Sequence, residues 1–275
     1  MRFAEIRTFH ELPQGSEEWI AQIETHWQNT PEFKVDPEKL RHLVIICDGN
    51  RRAAQERRLK PYFGHQAGIE TIKGIAQACR QWNIHTLTFW LWSTENWERE
   101  KEQVEFIMNL GRHYLKDEVF VEEIQRNQVR FTHLGRKDRL PPEIAEGLEE
   151  WEKQTASFSR YRLNLAIDYG GKDEIARAVV KIIKEVQEGR LSPVEILRNP
   201  KTIFEFLDTA TQLPPDLVIR TGTRKEEIPH TSGFMPLQAA YSSWVFLPEL
   251  FPDLTPQTLL RPIVDFIKYE RRFGK

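Results

Sequence analysis

Six short apolar segments, at residues 42–47, 86–92, 129–134, 163–167, 217–219 and 244–247, are spread along the 275-residue chain, most of them separated by helical patterns. Each is short for a core helix and rich in Val, Ile, Leu or aromatic residues, so each is expected to be a buried strand. Strands that alternate with helices are joined by crossovers, which makes the sheet mainly parallel and puts helices on its faces. Residues 65–82 place Ile69, Ile72, Ile75, Ala76 and Cys79 on one helical face. Residues 102–125 repeat Phe106, Ile107, Leu110, Tyr114 and Val119 in the same way and read as one further helix. The expectation is an α/β fold with a central six-stranded sheet in a single domain, 41–275, preceded by an N-terminal helical appendage, 1–40. No internal repeat, low-complexity tract or Gly/Ser linker divides the chain.

Lys plus Arg number 39 against 41 Asp plus Glu, a net charge of -2, so no global field draws the chain to nucleic acid and none is expected as a partner. The two cysteines, Cys47 and Cys79, form neither a disulfide framework nor a CxxC pair, which points to a reducing cytoplasm and no structural zinc. Residues 1–30 are broken throughout by charged and amide side chains, and no later run approaches a membrane span, so a soluble, cytoplasmic protein is expected. The 8 Trp and 16 Phe leave room for an apolar substrate or for peripheral contact with a membrane surface, and they fill a core equally well.

In an open parallel sheet, ligands gather at the carboxyl ends of the strands, where loops and helix N-termini present unpaired N–H groups. The first strand runs into Asp48-Gly49-Asn50-Arg51-Arg52. Gly49 and Asn50 offer backbone N–H groups to a diphosphate, Arg52 a guanidinium fork and Asp48 a hard oxygen for Mg2+. The same tripeptide is also an ordinary turn, so a strand-capping loop fits equally. Phe63-Gly64-His65 opens the next helix, with His65 either a second phosphate donor or a cap. The second strand ends in Ser93-Thr94-Glu95-Asn96-Trp97-Glu98-Arg99 directly after Phe89-Trp90-Leu91-Trp92, so apolar walls lead to polar donors, as an amphipathic ligand requires. Helix-capping chemistry accounts for Ser93 to Glu95 as well.

These loops, with Phe63-Gly64-His65-x-Ala67-Gly68, resemble the motifs of the cis-prenyltransferase family, typified by undecaprenyl diphosphate synthase. Further matches follow in order: Leu163-Asn164-Leu165-Ala166-Ile167-Asp168-Tyr169-Gly170-Gly171, Pro215-Asp216-Leu217-Val218-Ile219-Arg220-Thr221-Gly222 and Glu270-Arg271-Arg272-Phe273-Gly274. The resemblance implies an Mg2+-dependent enzyme that adds isopentenyl diphosphate to an allylic prenyl diphosphate with Z geometry, in a homodimer whose sheet and helices enclose an apolar tunnel. It implies that Asp48 holds the metal and assists departure of the diphosphate, and that Gly49, Asn50, Arg51, Arg52 and His65 hold the allylic diphosphate. Ser93, Thr94 and Glu95 organise the following loop. Asn96 takes part in proton removal by orienting a water or phosphate oxygen, with Trp97 and Arg99 beside it, and Arg220, His230 and Ser232 grip isopentenyl diphosphate.

The chain departs from the family pattern after the fifth strand. His230 stands where a second arginine is usual, in a longer loop that also carries Arg224, Lys225, Glu226 and Glu227, and Pro229 replaces a usual histidine. Ser243 stands where the family has a glutamate that completes the magnesium site, usually across the dimer. Besides an active prenyltransferase, the residues therefore admit a prenyl diphosphate-binding homologue that is non-catalytic or partner-dependent, and a condensation to an irregular, short branched product. On strict alternation Phe89 and Leu91 share one strand face, and Trp90 and Trp92 the other. Leu91, where a small residue is usual, is expected to narrow the tunnel and give a short or medium chain; alternatively, the 102–125 helix sets its depth.

Overall fold

The computed structural model describes residues 16–268. The Glu270 to Gly274 motif lies outside the described residues, as do residues 1–15 of the N-terminal segment. Six strands form one sheet: β1 (His42–Ile46), β2 (Thr86–Ser93), β3 (Val129–Leu134), β4 (Tyr161–Tyr169), β5 (Leu217–Arg220) and β6 (Ser243–Phe246). Their order is β3-β4-β2-β1-β5-β6, and every pairing is parallel. All five residues of the central β1 are buried, as a strand covered on both faces requires. The helices are α1 (Ser16–Gln28), α2 (Asn50–Glu56), α3 (Phe63–Gln81), α4 (Lys101–Tyr114), α5 (Glu118–Arg126), α6 (Pro142–Gln154), α7 (Gly171–Gln187), α8 (Pro193–Arg198) and α9 (Pro256–Lys268).

One face of the sheet, with Leu43, Ile45, Phe89, Leu163 and Ile219, packs into the larger core with α3, α6 and α9; the other, with Val44, Ile46, Ala166 and Val218, packs on Phe234 and Met235. Helix α1 adds Trp19, Ile23 and Trp27 to the larger core. The Trp19 indole donates to Asp253, whose carboxylate also takes Arg57 at 2.8 Å.

Two local expectations are corrected. Residues 102–125 are not one helix, because Asp117 leaves the helical conformation and its Oδ1 accepts from the Val119 and Phe120 N–H groups, starting α5 anew. Strict alternation fails in β2: Trp90 pairs with Ala166 and Trp92 with Ile167, leaving Leu91 as an extra residue. Phe89, Leu91 and Trp92 consequently meet the same core, and Trp90 alone faces the other.

Candidate active site

The chain moves outward from β1 in both directions, to β2 on one side and β5 on the other, so the crevice at their carboxyl ends is the sheet's topological switch point. Asp48 lies there, immediately beyond β1. Gly49 follows with φ +104°, and a Cβ on it would lie 2.8 Å from a Leu250 methyl, so both the turn and the close approach exclude a side chain. The Asp48 carboxylate is shared by two arginines, Arg52 at 3.1 Å and Arg220 at 2.9 Å. Arg220 also donates to Ser232 Oγ at 2.8 Å and to the His230 carbonyl at 2.7 Å, which ties the long loop after β5 to the loop after β1. Thr221 Oγ1 donates to the Asp48 carbonyl at 2.7 Å.

Asn50 opens α2 and turns its amide N–H onto the Cys47 carbonyl at 2.8 Å, leaving Oδ1 buried without a hydrogen-bond partner. That oxygen faces α3, where a Cβ on Gly68 would lie 2.5 Å from it. His65, one turn earlier on α3, is half-buried, and its Nε2 atom is buried without a hydrogen-bond partner. Burial, then the charges of Arg99 and Arg51, lower its pKa to about 3, so the ring is neutral at physiological pH. Arg99 completes the group: its guanidinium lies 5.3 Å from the centre of the Trp92 ring, and its Nη1 is buried and unpartnered. Arg51 is exposed beside them.

The loop after β2 forms a 3-10 turn over Thr94–Glu98. Asn96 Oδ1 accepts the Ser93 N–H at 3.1 Å. Burial by itself would raise the Glu95 carboxyl, but its own backbone N–H, the Ser93 and Thr94 hydroxyls and Lys172 hold it below the usual carboxylate range. The indole N–H of Trp97 is taken by Asp168 at 2.9 Å, so this ring anchors the loop instead of offering a donor to a ligand.

A cavity of about 180 Å³ adjoins these groups, lined by Asn50, His65 and Cys47 together with the apolar Leu91, Ile107, Phe120 and Trp151. Burial, with Asp48 nearby, pushes the Cys47 thiol well up, so it lines the wall as a neutral group. On α3, Lys73 borders the same cavity and is held by Glu70 at 3.1 Å and Asp117 at 3.7 Å.

Among the described residues no three His, Cys, Asp or Glu side chains are grouped to hold a metal. Asp48 is a lone carboxylate, which fits Mg2+ arriving on a diphosphate, where phosphate oxygens and water supply most ligands, and does not fit a resident ion. Ser243 is not part of this cluster. It pairs with Leu217 while Arg220 pairs with Phe246, so it lies three residues, about 10 Å, back along the sheet. Sequence reasoning missed Asp168 and Arg139 as contributors to the loop after β2; the only signal was the place of Asp168 in the motif after the fourth apolar segment.

A parallel sheet with an arginine-rich, partly unpartnered cluster over an apolar cavity defines an enzyme for amphipathic anions. A family model described as putative undecaprenyl diphosphate synthase matches residues 46–274. A tritrans,polycis-undecaprenyl-diphosphate synthase (geranylgeranyl-diphosphate specific) of Thermococcus kodakarensis is 40% identical over 235 residues, covering 86% of this chain and 87% of that protein. An isoprenyl transferase of Agrobacterium fabrum is 36% identical over 233 residues, 85% of this chain and 91% of that one. The fold superposes on lavandulyl diphosphate synthase from Lavandula x intermedia, solved with dimethylallyl diphosphate, with a TM-score of 0.79 at 30% identity, covering 87% of this chain and 100% of that one. A probable undecaprenyl diphosphate synthase from Campylobacter jejuni gives 0.68 at 32% identity, covering 86% and 99%. The chain belongs to the undecaprenyl diphosphate synthase family of cis-prenyltransferases, enzymes that condense isopentenyl diphosphate with an allylic prenyl diphosphate to a Z-polyprenyl diphosphate.

Proposed function

We propose that the allylic diphosphate binds with its phosphates on Asn50, His65, Arg51, Arg52 and Arg99 and its hydrocarbon tail in the cavity, and that the product is a short or medium Z-prenyl diphosphate. The observation that carries this reading is the trio of buried, unpartnered polar atoms, Asn50 Oδ1, His65 Nε2 and Arg99 Nη1. Buried polar atoms left unpaired are costly, and a group that donates and accepts beside the cavity would relieve them. A diphosphate takes the two donors, and a water or its metal takes the amide oxygen. Isopentenyl diphosphate binds at Arg220, Ser232 and His230, of which Arg220 shares Asp48 with the first site.

As the allylic carbon–oxygen bond breaks, charge grows on the departing diphosphate; Arg52 and Arg99 neutralise it away from water, and the neutral His65 ring donates a hydrogen bond to it. The double bond of isopentenyl diphosphate supplies the electron pair of the new carbon–carbon bond. The proton then lost from the isopentenyl unit passes to a phosphate oxygen or water oriented by Asn96. Mg2+ held by Asp48 would supply further charge neutralisation once the diphosphate frees the carboxylate from its arginines.

Product length follows from the cavity. At about 180 Å³ it is little larger than a ~150 Å³ void that holds one benzene, so each added isoprene must displace wall residues. The enzyme acts as a homodimer paired near β6, an edge strand with Trp244 and Phe246 stacked at 6.1 Å and Tyr241 85% exposed beside it. No described helix is long and apolar enough to cross a membrane, and cytoplasmic work with peripheral membrane contact completes the proposal. A second reading, condensation to a short branched product, draws on the likeness to lavandulyl diphosphate synthase and on Ser243.

Purified protein with Mg2+, labelled isopentenyl diphosphate and geranyl, farnesyl or geranylgeranyl diphosphate tests the proposal by chromatography of extracted lipid. A ladder of elongated Z-products supports the first reading, an irregular skeleton the second, and binding without incorporation overturns both.

A further inference from the structure

We infer that Asp168, held by Arg139, is a positioning residue for catalysis that acts through Trp97 to fix the loop carrying Asn96 and Arg99. The inference rests on the proposed active site and adds residues to its machinery. Asp168 is 0% exposed, and its carboxylate takes the Trp97 indole N–H at 2.9 Å, Arg139 Nε at 2.8 Å and Arg139 Nη2. Its backbone is left-handed, with φ +52°, and it is the residue skipped in the β2–β4 ladder, where Ile167 faces Trp92 and Tyr169 faces Ser93. Three chain segments therefore meet on one carboxylate.

The carboxylate is fully buried while Arg139 is 37% exposed, so the pair is a weak stability device: Asp168 gives up its hydration and a solvent-facing guanidinium returns only part of it. What this pair provides is direction. Trp97 has one donor and two rotatable bonds, and Asp168 fixes both the ring plane and its height above the sheet. Trp97 then stands edge-on to Trp92 at 5.7 Å, and the Arg99 guanidinium lies 5.3 Å from the centre of the same Trp92 ring. One residue back from Trp97, Asn96 is locked onto Ser93 N–H. Asp168 thus reaches both Asn96 and Arg99 without touching substrate. A left-handed aspartate on a bulge is strained backbone, and surrounding contacts over-determine it, since its carbonyl also accepts Arg136 N–H at 3.1 Å.

The test compares the full chain with Trp97→Phe, Asp168→Asn and the double variant, using steady-state elongation and 15N spectra of the indole N–H groups. Asparagine tolerates the left-handed backbone and keeps an acceptor for the indole, but loses the charge that holds Arg139. Trp97→Phe should lower kcat on the order of 10²-fold, with KM for the allylic diphosphate within about threefold, as misplacement of reacting groups does. Asp168→Asn should lower kcat less and move one indole resonance, the one missing in Trp97→Phe. The double variant should be no slower than Trp97→Phe alone. Multiplying defects, an unchanged kcat in folded Trp97→Phe, or a raised KM at constant kcat would overturn the inference. Should the parent elongate nothing, the proposed function fails, while the indole resonance still reports whether Asp168 holds Trp97.

Discussion

Asp48 and Arg220 stand 2.9 Å apart at the carboxyl ends of adjacent strands, although 172 residues separate them in the chain. The contact joins the loop expected to hold the allylic diphosphate to the loop expected to grip isopentenyl diphosphate. With Arg52 on its other oxygen, Asp48 is fully engaged by cations before any substrate arrives. In the proposed binding mode phosphate groups compete for those same arginines, and substrate binding would itself release the carboxylate.

Asp48→Asn should lower turnover on the order of 10²- to 10³-fold, the usual cost of one electrostatic stabiliser of a transition state. Its side chain is 38% exposed, so the melting temperature should move little. Matched circular dichroism with parental turnover would remove Asp48 from the mechanism.

Stability should fall on acidification before most carboxylates titrate. His42 is held near 4 and His65 near 3, both chiefly by burial, whereas the unfolded chain protonates histidine near 6.5. The unfolded state therefore binds protons that the folded state refuses. The stabilisation is complete above about pH 6.5 and is lost as pH falls towards 4, each residue giving up roughly 2 kcal/mol by pH 5. Thermal melts from pH 7.5 to 5 check this, and a flat profile is the contrary result. Added inorganic diphosphate should narrow the loss, since an anion beside His65 favours its protonated form.

Leu91→Ala should shift the product distribution towards longer chains. Leu91 lies on the cavity wall, and the truncation removes apolar volume there. Unchanged product length in a folded variant would move the stop elsewhere on the wall, where Trp151→Ala is the next variant.

Gly74→Ala should destabilise the fold by about 1–3 kcal/mol, because an added methyl would overlap the Trp27 ring of α1. Differential scanning calorimetry measures it. In a Trp27→Ala background the same methyl should cost nothing, and equal costs in both backgrounds would mean that α1 does not rest there.

The parallel sheet was legible because burial on both faces demands unbroken apolar runs, and β1 through β6 fall where such runs occur. The polar residues proposed to face phosphate could be picked out by position: Asp48, Asn50, His65, Arg99 and Arg220 sit at strand ends or near helix starts, where backbone geometry gathers polar groups. Where the local pattern is ambiguous, only tertiary contacts decided. Asp117 broke an apparently continuous amphipathic helix through two backbone hydrogen bonds. Leu91 bulged, so Trp92 joined the face that alternation had denied it. Trp97 found its partner in Asp168, 71 residues onward, and Ser243 proved to lie three pairs down the ladder from Arg220. Strand and helix periods are set by neighbours in sequence and can be counted there; ion pairs, bulges and registers depend on which distant segments the packed core brings into contact.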